Sequence, residues 1–265
     1  MNLQEFGQFH VPALEADEIR FNVQIGVLAA AAAKDTPGFR FWTLGGAGHC
    51  ATQSPGRAIL LGNLERDECC ALAQILAGED YPGVVGVDQT AHWFVEEATA
   101  RGAKFDEPIP QRLHVLSSSP RSPNAGGSPR ESGLADVPLL FEWLTAFRDE
   151  AVPQEPPPER ARAEELAGAG RSLFWIDNGA PVSVAAISRR LRHTAAIAPV
   201  YTPPEYRNKG YAGSVTAAVA GRIFAEGKTS ACLYTDLRNP MSNRCYAKIG
   251  FRAYCDAWYY DRLKQ

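Results

Sequence analysis

The run Val200-Tyr201-Thr202-Pro203-Pro204-Glu205-Tyr206-Arg207-Asn208-Lys209-Gly210-Tyr211-Ala212 has the residue types and spacing of a strand that ends in an anion-gripping turn and opens a helix. Residues 195–201 are short, apolar and partly β-branched, and two prolines, which cannot donate to a sheet ladder, close the run. Downstream, Val215, Val219 and Ile223 recur at i, i+4, i+8 on one helical face, with Gly227 as a stop. Between them, residues 207–212 leave backbone N–H groups at the mouth of the helix, where the macrodipole also favours negative charge. Gly210 lets a ligand approach the backbone with no Cβ in the way, Ala212 is small enough for close packing, and Lys209 adds positive charge. The chemistry this spacing suits is capture of a diphosphate.

A second segment lies at a fixed distance from the first: a strand over residues 231–236, then Asn239-Pro240-Met241-Ser242-Asn243-Arg244-Cys245-Tyr246-Ala247-Lys248-Ile249-Gly250-Phe251. Asn239 before Pro240 is a favoured helix start in its own right, and Tyr246 also reads as a packing residue on that helix. Together the two segments resemble the cofactor-binding elements of the GNAT superfamily of N-acetyltransferases. The loop pattern there is Arg or Gln, two variable residues, Gly, one variable residue, then Gly or Ala, and 207–212 matches it as Arg-Asn-Lys-Gly-Tyr-Ala.

That resemblance implies an acetyl-CoA cosubstrate and no metal. It implies that backbone groups of Val200 and Tyr201 hold pantetheine and polarise the thioester. Arg207, Asn208, Lys209, Gly210, Tyr211 and Ala212 would hold the diphosphate, and Asn239 would contact the pantetheine arm. Tyr246 would be the catalytic acid, since a phenol of pKa ~10 stays protonated at neutral pH and can donate to a thiolate. The strand over 194–201 carries no carboxylate, so the general base is open among Glu142, Glu205, Asp236 and a bound water. The implied activity is acetyl transfer to a primary amine of a small molecule or peptide. A non-catalytic acyl-CoA sensor is the alternative. Neither Gly-x-x-x-x-Gly-Lys-Ser/Thr nor Gly-x-Gly-x-x-Gly occurs, which argues against a P-loop nucleotidase and a dinucleotide domain.

Composition narrows the setting. A net charge of -3 gives no global attraction to nucleic acid or to an anionic membrane. No apolar stretch is long enough to span a bilayer, and the apolar run at 25–33 follows Glu15, Asp17 and Glu18 instead of a basic segment. A cytoplasmic protein is expected. The six cysteines form no Cys-x-x-Cys pair, Cys69-Cys70 diverge on a helix, and the five histidines lack ligand spacing, so reduced thiols and no metal site are expected. His49-Cys50 sits in a Gly-rich loop, where adjacency alone does not make a nucleophile and base pair.

At 265 residues two domains are expected, of class α/β (α+β). The Ser/Pro/Gly-rich stretch from 117 to 129 has too little apolar content for a core element, which divides the chain into an N-terminal domain (1–120), a linker (121–132) and a GNAT domain (133–265). The first reads as helix 16–34, strands 39–44 and 57–62, helix 65–77, strand 83–87, helix 89–101 capped by Asp88, and strand 112–116. It loosely resembles a degenerate GNAT copy. The second reads as a helix from 137 capped by Asp136, helix 159–167, a hairpin (171–176 and 181–187) around Asp177-Asn178-Gly179, the two cofactor segments, and a last strand over 253–260. The implied fold is a mixed twisted sheet flanked by helices.

Overall fold

A computed structural model describes residues 1–263 other than 35, 124 and 169. In chain order the elements are α1 (Leu3–Leu14), α2 (Asn22–Lys34), β1 (Arg40–Thr43), β2 (Cys50–Gln53), β3 (Ile59–Leu61), α3 (Arg66–Ile75), β4 (Gly83–Val87), α4 (Thr90–Ala100), β5 (Ile109–Leu116), β6 (Ser128–Glu131), α5 (Val137–Ala151), α6 (Arg160–Gly168), β7 (Ser172–Asp177), β8 (Ala180–Arg190), β9 (Thr194–Tyr201), α7 (Tyr211–Ala225), β10 (Ser230–Asp236), α8 (Pro240–Ile249) and β11 (Arg252–Asp261). Two compact units emerge. One comprises Met1–Leu113, Tyr234–Arg238 and Tyr254–Gln265; the other comprises His114–Leu233 and Asn239–Ala253. Neither is a continuous stretch of chain. No helix among the described residues is long and apolar enough to cross a membrane.

In the first unit β1, β2 and β3 form an antiparallel run, β3 lies parallel to β4, and β4 is antiparallel to β11. A parallel pair needs a crossover, and α3 supplies it. Leu72 of α3 and Phe94 of α4 are fully buried against Ile59, Val84 and Tyr260. The expected helix over 16–34 starts only at Asn22. A separate helix, α1, precedes it: Asn2 and Glu5 exchange side-chain bonds with each other's N–H at 2.9 and 3.0 Å, and Phe6, His10 and Leu14 bury one stripe. Asp88, expected as the cap of α4, instead sits at φ 50, with its carboxylate on Arg20 and its N–H on Asp256, so the helix begins at Thr90.

In the second unit β6, β7, β8 and β9 are antiparallel neighbours, and β9 pairs parallel with β10 across α7. Alternation along β7 sorts its side chains to two faces: Leu173 and Trp175 join the α7 cluster, while Phe174 and Ile176 join the α5 and α6 cluster. Val215, Val219 and Ile223 are all 0 % exposed, as their spacing requires. Asn178 and Gly179 turn the β7–β8 hairpin at φ 47 and 79. The segment expected to be a bare linker contains β6, whose four exposed residues pair along β7 from Ser128↔Ile176 to Glu131↔Leu173. An edge strand held by backbone bonds needs no apolar residues, which is why its composition hid it.

His10 ties α1 to its own unit. Its Nδ1 accepts from the Gly48 N–H at 3.0 Å and its Nε2 meets the Thr43 hydroxyl at 2.9 Å, so the buried ring is neutral with the proton on Nε2. Burial lowers its pKa below the ordinary 6.5, and His49 lowers it further. A depressed folded pKa means that the unfolded chain binds the extra proton first, so this stabilisation is present above about pH 6.5 and is lost as pH falls. The slope is at most about 1.4 kcal/mol per pH unit for one proton. We expect wild type to lose its thermal-stability advantage over His10→Gln between pH 7.5 and 5; parallel curves for the two proteins would contradict the neutral assignment.

Candidate active site

Parallel pairing between β9 and β10 covers only Thr194↔Ser230, Ala195↔Ala231 and Ala196↔Cys232 among the described pairs. Beyond Ala196 the two strands part, which leaves the edge of β9 that carries Val200 and Tyr201 without a ladder on that side. On its other side β9 stays paired with β8, at Ala185↔Val200 and Val184↔Tyr201, and the Ser183 hydroxyl caps the Tyr201 carbonyl at 2.9 Å. The side-chain alternation slips by one residue here: Ile197 and Val200 both face the α7 cluster, so Tyr201 turns to the α5 face. A register shift in the β8–β9 ladder accompanies the slip.

The turn after β9 places Asn208 at φ 65 and Gly210 at φ 85, and α7 starts at Tyr211 with Gly210 in the cap position and no side-chain cap. The first helical bond is Ser214 N–H to the Gly210 carbonyl, so the amides of Tyr211, Ala212 and Gly213 have no partner inside the helix. Residues 207–210 are exposed, and the Lys209 ammonium forms no ion pair among the described residues; it lies 5.9 Å from the Tyr206 ring centre. The matching strand-to-helix turn of the first unit, between β3 and α3, is filled by its own acids. There the Glu68 carboxylate accepts from the Glu65 N–H at 2.9 Å and Asp67 accepts from the Glu68 N–H at 3.0 Å. An anion is thus built into α3, whereas the start of α7 has no acid of its own, a nearby lysine and amides unpaired within the helix, features that suit an anion from outside.

Arg207 is occupied differently from the expectation that it grips phosphate. Its Nε donates to the Thr202 carbonyl at 2.9 Å and its Nη2 to Glu150 at 2.5 Å. Glu150 also accepts from the Tyr201 hydroxyl at 2.9 Å, so Arg207 braces the turn against the end of α5. Burial raises the Tyr201 pKa, with the Glu150 bond adding to it. Nothing in the sequence marked Glu150 for this part, because the contact spans 57 residues. Tyr211 directs its hydroxyl to Asp177 at 2.5 Å, and that bond raises its pKa.

Asn239 caps α8 through its side-chain oxygen, which accepts from the Ser242 N–H at 3.1 Å. Tyr246 packs against the α7 cluster and edge-on to Phe251 at 6.1 Å, and burial raises its pKa strongly, which keeps the phenol protonated. Among the described residues its hydroxyl has no hydrogen-bond partner. Of the acids weighed as base, Asp236 is tied to Arg238; burial pushes its pKa up, but the Arg238 bonds outweigh this and leave it lowered, a poor base. Glu142 and Glu205 are exposed. Groups of three His, Cys, Asp or Glu able to hold a metal are absent among the described residues.

A strap of chain also lies on the first turn of α7. Arg121 N–H bonds the Ile249 carbonyl at 2.8 Å, the Ser214 hydroxyl bonds the Pro123 carbonyl at 2.8 Å, and Trp175 Nε1 bonds the Gly126 carbonyl at 2.7 Å. Gly213 is where the strap comes closest: a Cβ there would meet Pro123 Cγ at 2.7 Å and Cys245 Sγ at 3.4 Å.

The sequence model of the FR47-like protein family matches residues 178–260, which include the 207–212 turn and the segment from Asn239 to Phe251. Among solved structures, a Drosophila protein superposes with a TM-score of 0.69 at 14% identity, covering 99% of this chain and 97% of that one. A GCN5-related N-acetyltransferase from Kribbella flavida gives 0.59 at 17% identity, covering 91% and 96%. A tandem GNAT protein from the clavulanic acid biosynthesis pathway, solved without AcCoA, gives 0.57 at 12% identity, covering 95% and 94%. Among curated proteins, none matches the sequence. The chain therefore has the GNAT fold, with likeness to a tandem member over nearly its full length.

Because Pro123 is held by Ser214 and cannot simply move aside, Gly213→Ala is expected to destabilise the protein by about 1–3 kcal/mol, read as a lower urea midpoint. An unchanged midpoint would show that the strap yields freely.

Proposed function

We propose that this protein is an acetyl-CoA-dependent N-acetyltransferase whose acceptor is a primary amine. The observation that carries this reading is the uncapped, acid-free start of α7 beside the splayed end of β9. In this reading the amides of residues 208–213 and Lys209 bind the diphosphate, through charge-assisted hydrogen bonds each worth roughly 1.5–3 kcal/mol. The unpaired edge of β9 at Val200 and Tyr201 offers backbone groups to the amide-rich pantetheine arm, as an added strand would receive them, and the Asn239 amide reaches the same arm. A backbone N–H at this edge polarises the thioester carbonyl.

The amine loses its proton to solvent or a bound water and attacks the carbonyl carbon; the N–C bond forms as the C–S bond breaks. Tyr246 supplies the proton that the departing thiolate takes up, and the proton still on the newly acylated nitrogen is shed and returns, directly or through water, to the tyrosinate, leaving a neutral amide and the phenol restored. Burial keeps the phenol in the protonated form that a donor needs, but it also makes it a weaker acid, so the reading rests on the place of Tyr246 on α8 after Asn239 and not on its pKa.

Two substitutions test separate halves of the reading. Ala212→Asp puts a carboxylate into the first turn of α7, as in α3: the dipole interaction should hold or raise stability, while acetyl-CoA affinity falls by roughly tenfold or more in calorimetry. Undiminished affinity would remove the diphosphate from this turn. Tyr246→Phe should keep acetyl-CoA affinity and lose roughly 10²-fold in thiol release with an amine acceptor. Equal turnover would take Tyr246 out of the chemistry, and absence of thiol release from wild type over a panel of amines would leave only an acyl-CoA-binding protein.

A further inference from the structure

The second unit holds a cleft of about 430 Å3 between α5, the start of β8 and the turn after β9. Its apolar walls are Leu139, Trp143, Tyr201 and Tyr206, and its only charged lining residues are Glu142 and Glu205. The volume lies within the range that holds small organic ligands, roughly 300–1,000 Å3. Elsewhere in the unit carboxylates meet arginines: Glu150 holds Arg207, Glu226 holds Arg190 and Asp136 holds Arg130. Glu142 and Glu205 differ. Among the described residues neither has a hydrogen-bond or ion-pair partner, so two uncompensated negative charges sit at the mouth of an aromatic-walled cleft. Two cations lie behind the walls without lining the cleft: Arg207, paired with Glu150, is 5.9 Å from the Tyr201 ring centre, and Lys209 is 5.9 Å from that of Tyr206.

The cleft also adjoins the expected chemistry. Tyr201 contributes its side chain to the cleft wall, and its backbone lies on the splayed edge of β9. The slip in β9 makes this possible, because a regular strand would turn that ring to the α7 face.

We propose that this cleft is the acceptor subsite, and that it selects a primary amine with an aromatic or branched apolar body and no carboxylate. Its role as acceptor subsite rests on the acetyl-transfer reading; its preference for an organic cation rests on the lining alone. Glu142 and Glu205 draw the ammonium in, and the rings of Trp143, Tyr201 and Tyr206 cover the apolar body. A free amino acid is disfavoured, since its own carboxylate would meet two more.

The test is calorimetry on the full chain with 2-phenylethylamine and, as its anionic match, 3-phenylpropionate. Wild type should bind the amine and not the acid. The double substitution Glu142→Gln, Glu205→Gln, at two exposed positions, should weaken amine binding by roughly tenfold or more and flatten its salt dependence. Ala146→Trp, which fills the cleft from α5, should abolish it. Equal binding of amine and acid, no binding of the amine, or a Gln double variant that binds as wild type would overturn the proposal. Acetyl-CoA binding and thiol release on the same preparations separate the two readings. Lost amine binding with acetyl-CoA binding intact rejects the cleft alone; amine binding without thiol release upholds the cation cleft and rejects acetyl transfer.

Discussion

The first turn of α7 is left with three backbone amides and no anion of its own, and the surrounding structure is arranged around that deficit. A buried or crowded helix start normally acquires a side-chain oxygen, because unpaired N–H groups cost free energy once water is excluded. Here Gly210 takes the cap position at φ 85, no acid stands in the turn, and residues 207–210 stay exposed while Tyr211 and Gly213 are buried. The deficit is tolerable in water, and in the proposed function a phosphate would fill it. In α3 the contrast is plain: its first turn carries Asp67 and Glu68 with their carboxylates on backbone amides, so its anion is supplied from within.

Several features keep the α7 turn in place without closing it. Arg207 binds Glu150 and the Thr202 carbonyl, which fixes the chain between β9 and α7. Such a half-exposed ion pair contributes little to global stability, on the order of 0–1 kcal/mol, so its effect is geometric. The strap near Pro123 packs on Gly213 and Ser214 along the flank of the helix. The slip in β9 divides the work of two adjacent residues, Val200 on the α7 face and Tyr201 on the α5 face.

What could be read in the sequence was what local chemistry determines. The stripe of Val215, Val219 and Ile223, the Asn178-Gly179 turn and the Asn239-Pro240 helix start each follow from a few neighbouring residues, and each is present. What could not be read depends on distant partners or on backbone bonds. β6 and the strap carry few apolar residues and are held by main-chain groups, so their composition resembled a linker. The bond from Arg207 to Glu150 was not legible, because that partner lies 57 residues away and has no local signature. α1 was hidden by Gly7 and Pro12, and it is held by an Asn2–Glu5 cap and a buried stripe. The compact units are discontinuous in sequence, with residues of β5, β10 and β11 falling in both, a division that no single breakpoint can express.

The most direct measurement is backbone amide chemical-shift mapping during titration with coenzyme A. If the open start of α7 is the diphosphate site, the largest shifts fall on residues 208–213 and the amides of residues 65–68 stay still. Shifts concentrated elsewhere, or none at 208–213 under saturation, would contradict the assignment on which the proposed chemistry is built.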